Sequence, residues 1–183
     1  VHLCMGVPCN ALPHPERFAA YILNTVLGAG MSSRLFQNIR EKRGLAYTVG
    51  SEQFLYRDSG CLSVFAGTSV QSALEVVQLV LKEFRSLKES PVTDEELKRA
   101  KDNLKGSFML GLESTVNRMS HLARQYLYFG RFSTMDDILR DIEGVRAEQL
   151  QRMAQEFFQM EKINLTMLGR LSGVKLTRED LAC

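Results

Sequence analysis

Two side chains in this 183-residue chain have the types and spacing to act together. Arg40 and Tyr47 stand seven positions apart, with Glu41-Lys-Arg-Gly-Leu-Ala46 between them. A guanidinium stays charged and presents a fixed fork of donors, while a phenol supplies one neutral O–H. Gly44 fits the position just past a helix end, so the chain turns there and carries Arg40 toward the first residues of the next strand. A cation and a phenol would then converge on one spot. Each residue also has a plainer reading. Arg40 can be a C-terminal helix cation meeting the dipole, worth a few tenths to about 1 kcal/mol. Tyr47 can be a half-buried strand aromatic.

The elements around the pair follow from the local pattern. Gly28 and Gly30 form a hinge between two apolar segments, where a residue with a Cβ is costly at positive φ. Ser32 and Ser33 are N-cap types for a short helix, Ser33 to Lys42, whose apolar side is Leu35, Phe36 and Ile39. Before the hinge, Leu3 to Val7 reads as a strand and Glu16 to Leu27 as an amphipathic helix. After it, Leu45–Phe54 and Cys61–Gly67 flank the turn Arg57-Asp-Ser-Gly60 and read as an antiparallel hairpin. Val70 to Leu87 is a helix, and Thr93-Asp-Glu-Glu96 is a capping box opening another through Leu97, Ala100, Leu104 and Phe108. Further helices run from Ser114 to Gly130, with Met119, Leu122, Ala123, Tyr126 and Leu127 on one face, over Ile138–Ile142, and over Ala147–Phe158. Ile163 to Leu168 is the last strand. Residues 172–183 carry no clear pattern and read as a disordered tail. Strands and helices do not alternate throughout, so the expected class is α+β: a mostly antiparallel sheet with helices packed on one face.

Composition narrows the function. With 45% hydrophobic and 24% charged residues, one domain over residues 1–170 is expected. A net charge of +2 argues against nucleic acid as a partner. No apolar run is long enough to span a bilayer. The four cysteines are scattered, and Cys4 and Cys61 read as small buried residues. His2, Cys4, Cys9 and His14 are all zinc-ligand types, but they form no close pair of ligand spacing. The chain opens on Val1-His-Leu-Cys-Met as if in mid-strand, which reads as a piece of a longer protein. The parent's compartment is not legible, with cytoplasmic as the default expectation.

Gly28-Ala-Gly-Met-Ser-Ser-Arg-Leu-Phe36 and Ile39-Arg-Glu-Lys-Arg-Gly-Leu-Ala-Tyr47 together resemble the signature of the second domain of the M16 (pitrilysin-like, inverzincin) zinc peptidases, of the bacterial processing-peptidase type. The resemblance continues through Pro91-Val-Thr-Asp-Glu-Glu-Leu97, Gly111-Leu-Glu-Ser-Thr-Val-Asn-Arg-Met-Ser120 and Leu127-Tyr-Phe-Gly130. It covers about residues 1 to 170 in the right order, which makes it far more specific than one glycine pattern. It implies an α+β (LuxS-like) fold paired with an N-terminal domain of similar fold in the same chain, around an enclosed chamber. That N-terminal domain would hold the catalytic zinc through His-x-x-Glu-His and a distal Glu. The second domain holds no metal and reaches the substrate with an Arg and a Tyr, which match Arg40 and Tyr47. The three histidines here, His2, His14 and His121, lie in no such motif, so the chain by itself should neither bind catalytic zinc nor cleave peptides.

The resemblance thus implies the substrate-binding domain of a zinc metalloendopeptidase acting on peptides or unfolded proteins. A homodimer, or a paired subunit of the family, is the expected assembly. The alternative is a non-catalytic subunit or scaffold, as the core proteins of respiratory complex III are. A third reading is an interaction domain whose sheet edge pairs with peptides. Arg34 and Arg43 read as solvated or structural, His121 as an ordinary surface residue, and Tyr126 and Phe129 as core.

Overall fold

The computed structural model describes residues 1–183. Strand β1 (His2–Cys9) leads through a proline-rich turn into helix α1 (Arg17–Leu27). After the glycine hinge come a short helix, Phe36–Glu41, and the hairpin β2 (Ala46–Leu55) and β3 (Gly60–Thr68). Helices α2 (Ala73–Glu89), α3 (Asp94–Gly111), α4 (Thr115–Phe129), α5 (Met135–Glu143) and α6 (Ala147–Phe157) follow, and strand β4 (Asn164–Leu168) ends the fold. The four strands form one antiparallel sheet in the order β2-β3-β1-β4. This is the α+β class expected from the pattern.

The sheet's period of two decides which face the helices cover. Leu3, Met5 and Val7 of β1 point inward with Leu62, Val64 and Ala66 of β3 opposite them. They share one hydrophobic core with α1, whose Ile22, Leu23 and Leu27 are fully buried, each contributing about 1.5–3 kcal/mol by leaving water. His2, Cys4, Phe65, Thr166 and Leu168 face the other way and are exposed. Cys4 is therefore not a buried residue as expected: it lies on the open face, where its thiol meets the Ser63 hydroxyl at 3.1 Å. Cys61 is half-buried on that face.

Two local expectations change. Gly28 has φ −153°, an extended value that any residue adopts. Its requirement is for space, because a Cβ there would lie 2.4 Å from Ser51 N. Gly30 (φ +118°) and Gly44 (φ +63°) are the positions where glycine's freedom is used. Ser33 does not cap the following helix: its buried hydroxyl donates back to Gly30 O at 2.6 Å, tying the hinge shut.

Residues 171–183 form no strand or long helix, yet they pack. Leu181 is buried, Leu176 and Cys183 lie against the core, and Arg178 Nη1 donates to Ile163 O at 2.7 Å. Arg85 and Lys88 of α2 donate to the carbonyls of Ala182 and Cys183. A disordered tail was expected because so few apolar residues, without period, leave no trace in a pattern search.

Helix α4 reverses the sequence expectation. Gln125 is its one buried residue, while Val116, Met119, Leu122, Tyr126 and Leu127 are exposed. Tyr126 is thus not core; it stacks on exposed Phe132 with ring centres 5.9 Å apart. His121 is half-buried rather than a surface residue, bonded to Gln125 and set edge-on to Phe108. Periodicity identified the apolar face of α4 and could not say which way that face points.

Candidate functional site

Arg40 sits on a helix of unusual geometry. Phe36–Glu41 is π-helical: Lys42 N donates five residues back to Gln37 O, at 3.0 Å. Such single turns are rare and concentrate at functional sites. The turn closes on Gly44, whose N–H donates to Arg40 O (2.9 Å) while Leu45 N donates to Ile39 O (3.0 Å). This left-handed glycine cap is the turn expected from the sequence.

Two polar anchors fix that helix against α2 and α3. Arg34 donates through Nε and Nη2 to both carboxylate oxygens of Glu96, each at 2.7 Å, and through Nη1 to Ser86 Oγ. Asn38 donates to Oε1 of buried Glu83 at 2.7 Å. Glu96 therefore serves Arg34 instead of reaching back in the expected capping box, although Thr93 Oγ1 does accept from Glu96 N. The Glu96 carboxylate holds the Arg34 guanidinium above its ordinary range. Both side chains are less than one-fifth exposed. Arg34→Ala should accordingly cost about 2–4 kcal/mol, between surface and fully buried pairs. Urea unfolding checks this, and a cycle with Glu96→Ala should show coupling of at least about 0.5 kcal/mol.

Tyr47 owes its position to a β-bulge. Ala46 pairs with Thr68 and Thr48 with Gly67, so Tyr47 is an extra residue on β2. Strict alternation would place Tyr47 on the same face as Val49, inward. The bulge lets Ala46 and Val49 both point into the core, and Tyr47 and Thr48 both point out. Tyr47 is 87% exposed. It borders an open depression of about 390 Å³ whose floor includes Thr48, Gly67, Thr68 and Ser72.

Structure and sequence agree on the encounter of the pair. The Arg40 guanidinium carbon lies 6.0 Å from the Tyr47 ring centre and 5.0 Å from that of Phe36. Neighbouring polar groups are committed to one another: Lys42 to Asn38, Arg43 to Glu75 and Thr68 to Leu45 O. Arg40 and Tyr47 take part in none of these bonds. The arrangement offers a cation and a phenol with their donors free, side by side at the open end of the sheet.

The possible metal ligands do not come together. No three of the His, Cys, Asp and Glu side chains are placed to share an ion. His2 and Cys4 lie on the outer sheet face, while His14 Nδ1 contacts Asn10 Nδ2 and accepts from Glu16 N. Burial, with Cys61 nearby, pushes the Cys9 thiol up to about 12. It is a neutral thiol at physiological pH, whereas a zinc ligand must be the thiolate. Iodoacetamide at pH 8 should therefore label exposed Cys4 while Cys9 stays unmodified in the folded chain, as peptide mass mapping would show. The residues present do not fit zinc.

Residues 1–104 match the family described as the peptidase M16 inactive domain. The chain belongs to the M16 peptidase family. Among its relatives is the Bacillus subtilis protein named "Uncharacterized zinc protease YmxG", 37% identical over 157 residues, which cover 86% of this chain and 38% of that protein. The M16 chain thus spans about two-fifths of that relative's length. A solved protease from Helicobacter pylori superposes with a TM-score of 0.78 at 24% identity, over 90% of this chain and 39% of its own. A chain of complex III from Candida albicans superposes at 0.85 over 100% of this chain and 46% of its own, with 17% identity. At such identities the likeness is one of fold.

Sequence reasoning missed two arginines, Arg17 and Arg124, which meet in a cavity between α1, α3 and α4. A signal for Arg17 was present. It is the first residue of α1, in a first turn without any acidic residue. A cation there opposes the helix dipole.

Proposed function

We propose that this M16 domain supplies substrate contacts to a zinc endopeptidase whose metal is held by another domain of the same parent protein. Arg40 and Tyr47 donate to the carbonyl oxygen of a bound peptide as negative charge grows on it. The observation that carries this reading is their pairing: two adjacent donors, exposed and uncommitted, one presented by a π-turn and the other by a bulge. Preorganised donors of this kind favour the transition state over the ground state, because the oxygen becomes a stronger acceptor as it gains charge. Their exposure suits a site completed when a second domain closes over them. Peptides or unfolded protein segments are the substrates proposed, and the partner is the N-terminal domain of the parent, itself paired as a homodimer or with a related subunit.

The fold-level likeness to a chain of complex III keeps a second reading in view: a non-catalytic subunit that pairs with an active partner. The test is hydrolysis of a quenched fluorescent peptide by the full-length parent loaded with zinc. Turnover abolished by a chelator and restored by zinc supports the endopeptidase. No turnover from a folded, zinc-equilibrated parent supports the second reading instead.

A further inference from the structure

A cavity of about 260 Å³ between α1, α3 and α4 shares no residue with the Arg40–Tyr47 site. Arg17 and Arg124 line it, with Phe18, Phe129, Tyr21 and His121. The Arg17 guanidinium carbon stands 4.5 Å from the Phe18 ring centre and 4.7 Å from that of Phe129. Stacking on aromatic faces fixes the guanidinium plane and leaves its edge, where the N–H donors are, for another partner.

No such partner exists within the chain. Neither arginine belongs to any of its ion pairs. Gln53 Oε1 is the one sealed side-chain polar atom without a partner, so the unbonded Arg17 nitrogens are open to solvent, and Arg17 lines the cavity. Nearby Glu16, on the chain's preceding residue, is bound to Arg152 and Gln149. Asp141 is felt at Arg17 but lies beyond ion-pair distance, and Arg131 adds further positive charge. Burial lowers the proton affinity of Arg17 and keeps Tyr21 a neutral donor. His121 Nε2 is occupied by Gln125.

Two free guanidinium groups in an aromatic-lined cavity call for a ligand with an anionic head and an apolar body. We propose that this cavity binds a small carboxylate bearing an aromatic or branched apolar group. The aromatic lining of Phe18, Phe108 and Phe129 suits a carboxylate carried on an apolar body better than a phosphate, which has no apolar part. The volume sits just below the range of about 300–1,000 Å³ for drug-sized ligand sites, so one ring and a short tail fill it. The inference is independent of peptidase chemistry, since the cavity and the Arg40–Tyr47 site have no side chain in common.

Calorimetric titration of the full-length protein with phenylacetate tests it, with phenylacetamide, inorganic phosphate, N-acetylphenylalanine and a pentapeptide ending in phenylalanine as the other probes. Saturable binding of phenylacetate is expected, at least about tenfold tighter than its neutral amide, a difference typical of one charge-assisted hydrogen bond. Exposed Arg124→Gln should weaken it about tenfold without altering the melting temperature, and Arg17→Lys should weaken it while keeping the charge. N-acetylphenylalanine binding better than the pentapeptide marks a free acid as the ligand; the reverse marks a peptide C-terminus, and both sustain the carboxylate site. Equal binding of amide and acid, phosphate binding as tightly as phenylacetate, indifference to both substitutions, or no binding would each overturn the proposal.

Discussion

Arg40→Ala in the full-length parent is expected to lower kcat for peptide hydrolysis by about 10²–10³, and Tyr47→Phe by about 10², the cost of removing one preorganised oxyanion donor. KM should change little in both. A donor that acts on developing charge contributes chiefly at the transition state, so its loss falls on kcat and kcat/KM together. Stability should not follow activity. Tyr47 is 87% exposed, and neither side chain is bonded within the chain, so their loss leaves no buried group unsatisfied. Melting temperature and zinc content therefore serve as the internal controls. The double variant should fall less than the product of the two singles, because groups acting on one oxygen are not additive. Full turnover in both single variants would return Arg40 to a helix cation and Tyr47 to a surface aromatic.

Gly28→Ala should be the most destabilising small substitution in the site's support, by about 3 kcal/mol, at the upper end of ordinary overpacking costs. An added methyl would lie 2.4 Å from Ser51 N, 2.5 Å from Ser51 Oγ and 2.8 Å from Ser51 Cβ. The first of these is backbone and cannot rotate away. Ser51 N also donates to Gly28 O at 3.2 Å, and Ser51 Oγ donates to Asn24 Oδ1 at 2.6 Å. Pushing β2 off the end of α1 would break this junction four residues from Tyr47, so activity should fall along with stability. Gly106→Ala is the contrasting substitution. Gly106 lies inside α3 with open space where its Cβ would go, and it should gain about 0.5–1 kcal/mol from helix propensity. Chemical denaturation of both variants gives the comparison. A neutral Gly28→Ala would mean that the strand gives way at no cost.

Much of the architecture was legible in the sequence because it rests on local periodicity and turn chemistry. The period of two in β1 and β3, the helical spacing of Phe18, Ile22, Leu23 and Val26, and the glycine after Arg43 each depend on near neighbours alone. The Arg40–Tyr47 encounter was legible for the same reason: one short helix, one left-handed glycine and one strand start separate them. The π-turn was not, since its extra residue is absorbed in backbone hydrogen bonding without altering the apolar pattern of Leu35, Phe36 and Ile39.

By itself, the sequence determined the α+β class, the order of elements and the family, and it brought Arg40 near Tyr47. Tertiary structure alone decided directions and long-range partners. It turned the apolar face of α4 outward and set Glu96 on Arg34 across 62 positions of chain. It rotated Tyr47 out of the core through a bulge and brought Arg17 to Arg124 across an aromatic cavity. The physical reason is common to all four. Periodicity says that a side chain is apolar or charged at a given angle about its own element, and only the packing of that element against others says what the angle faces.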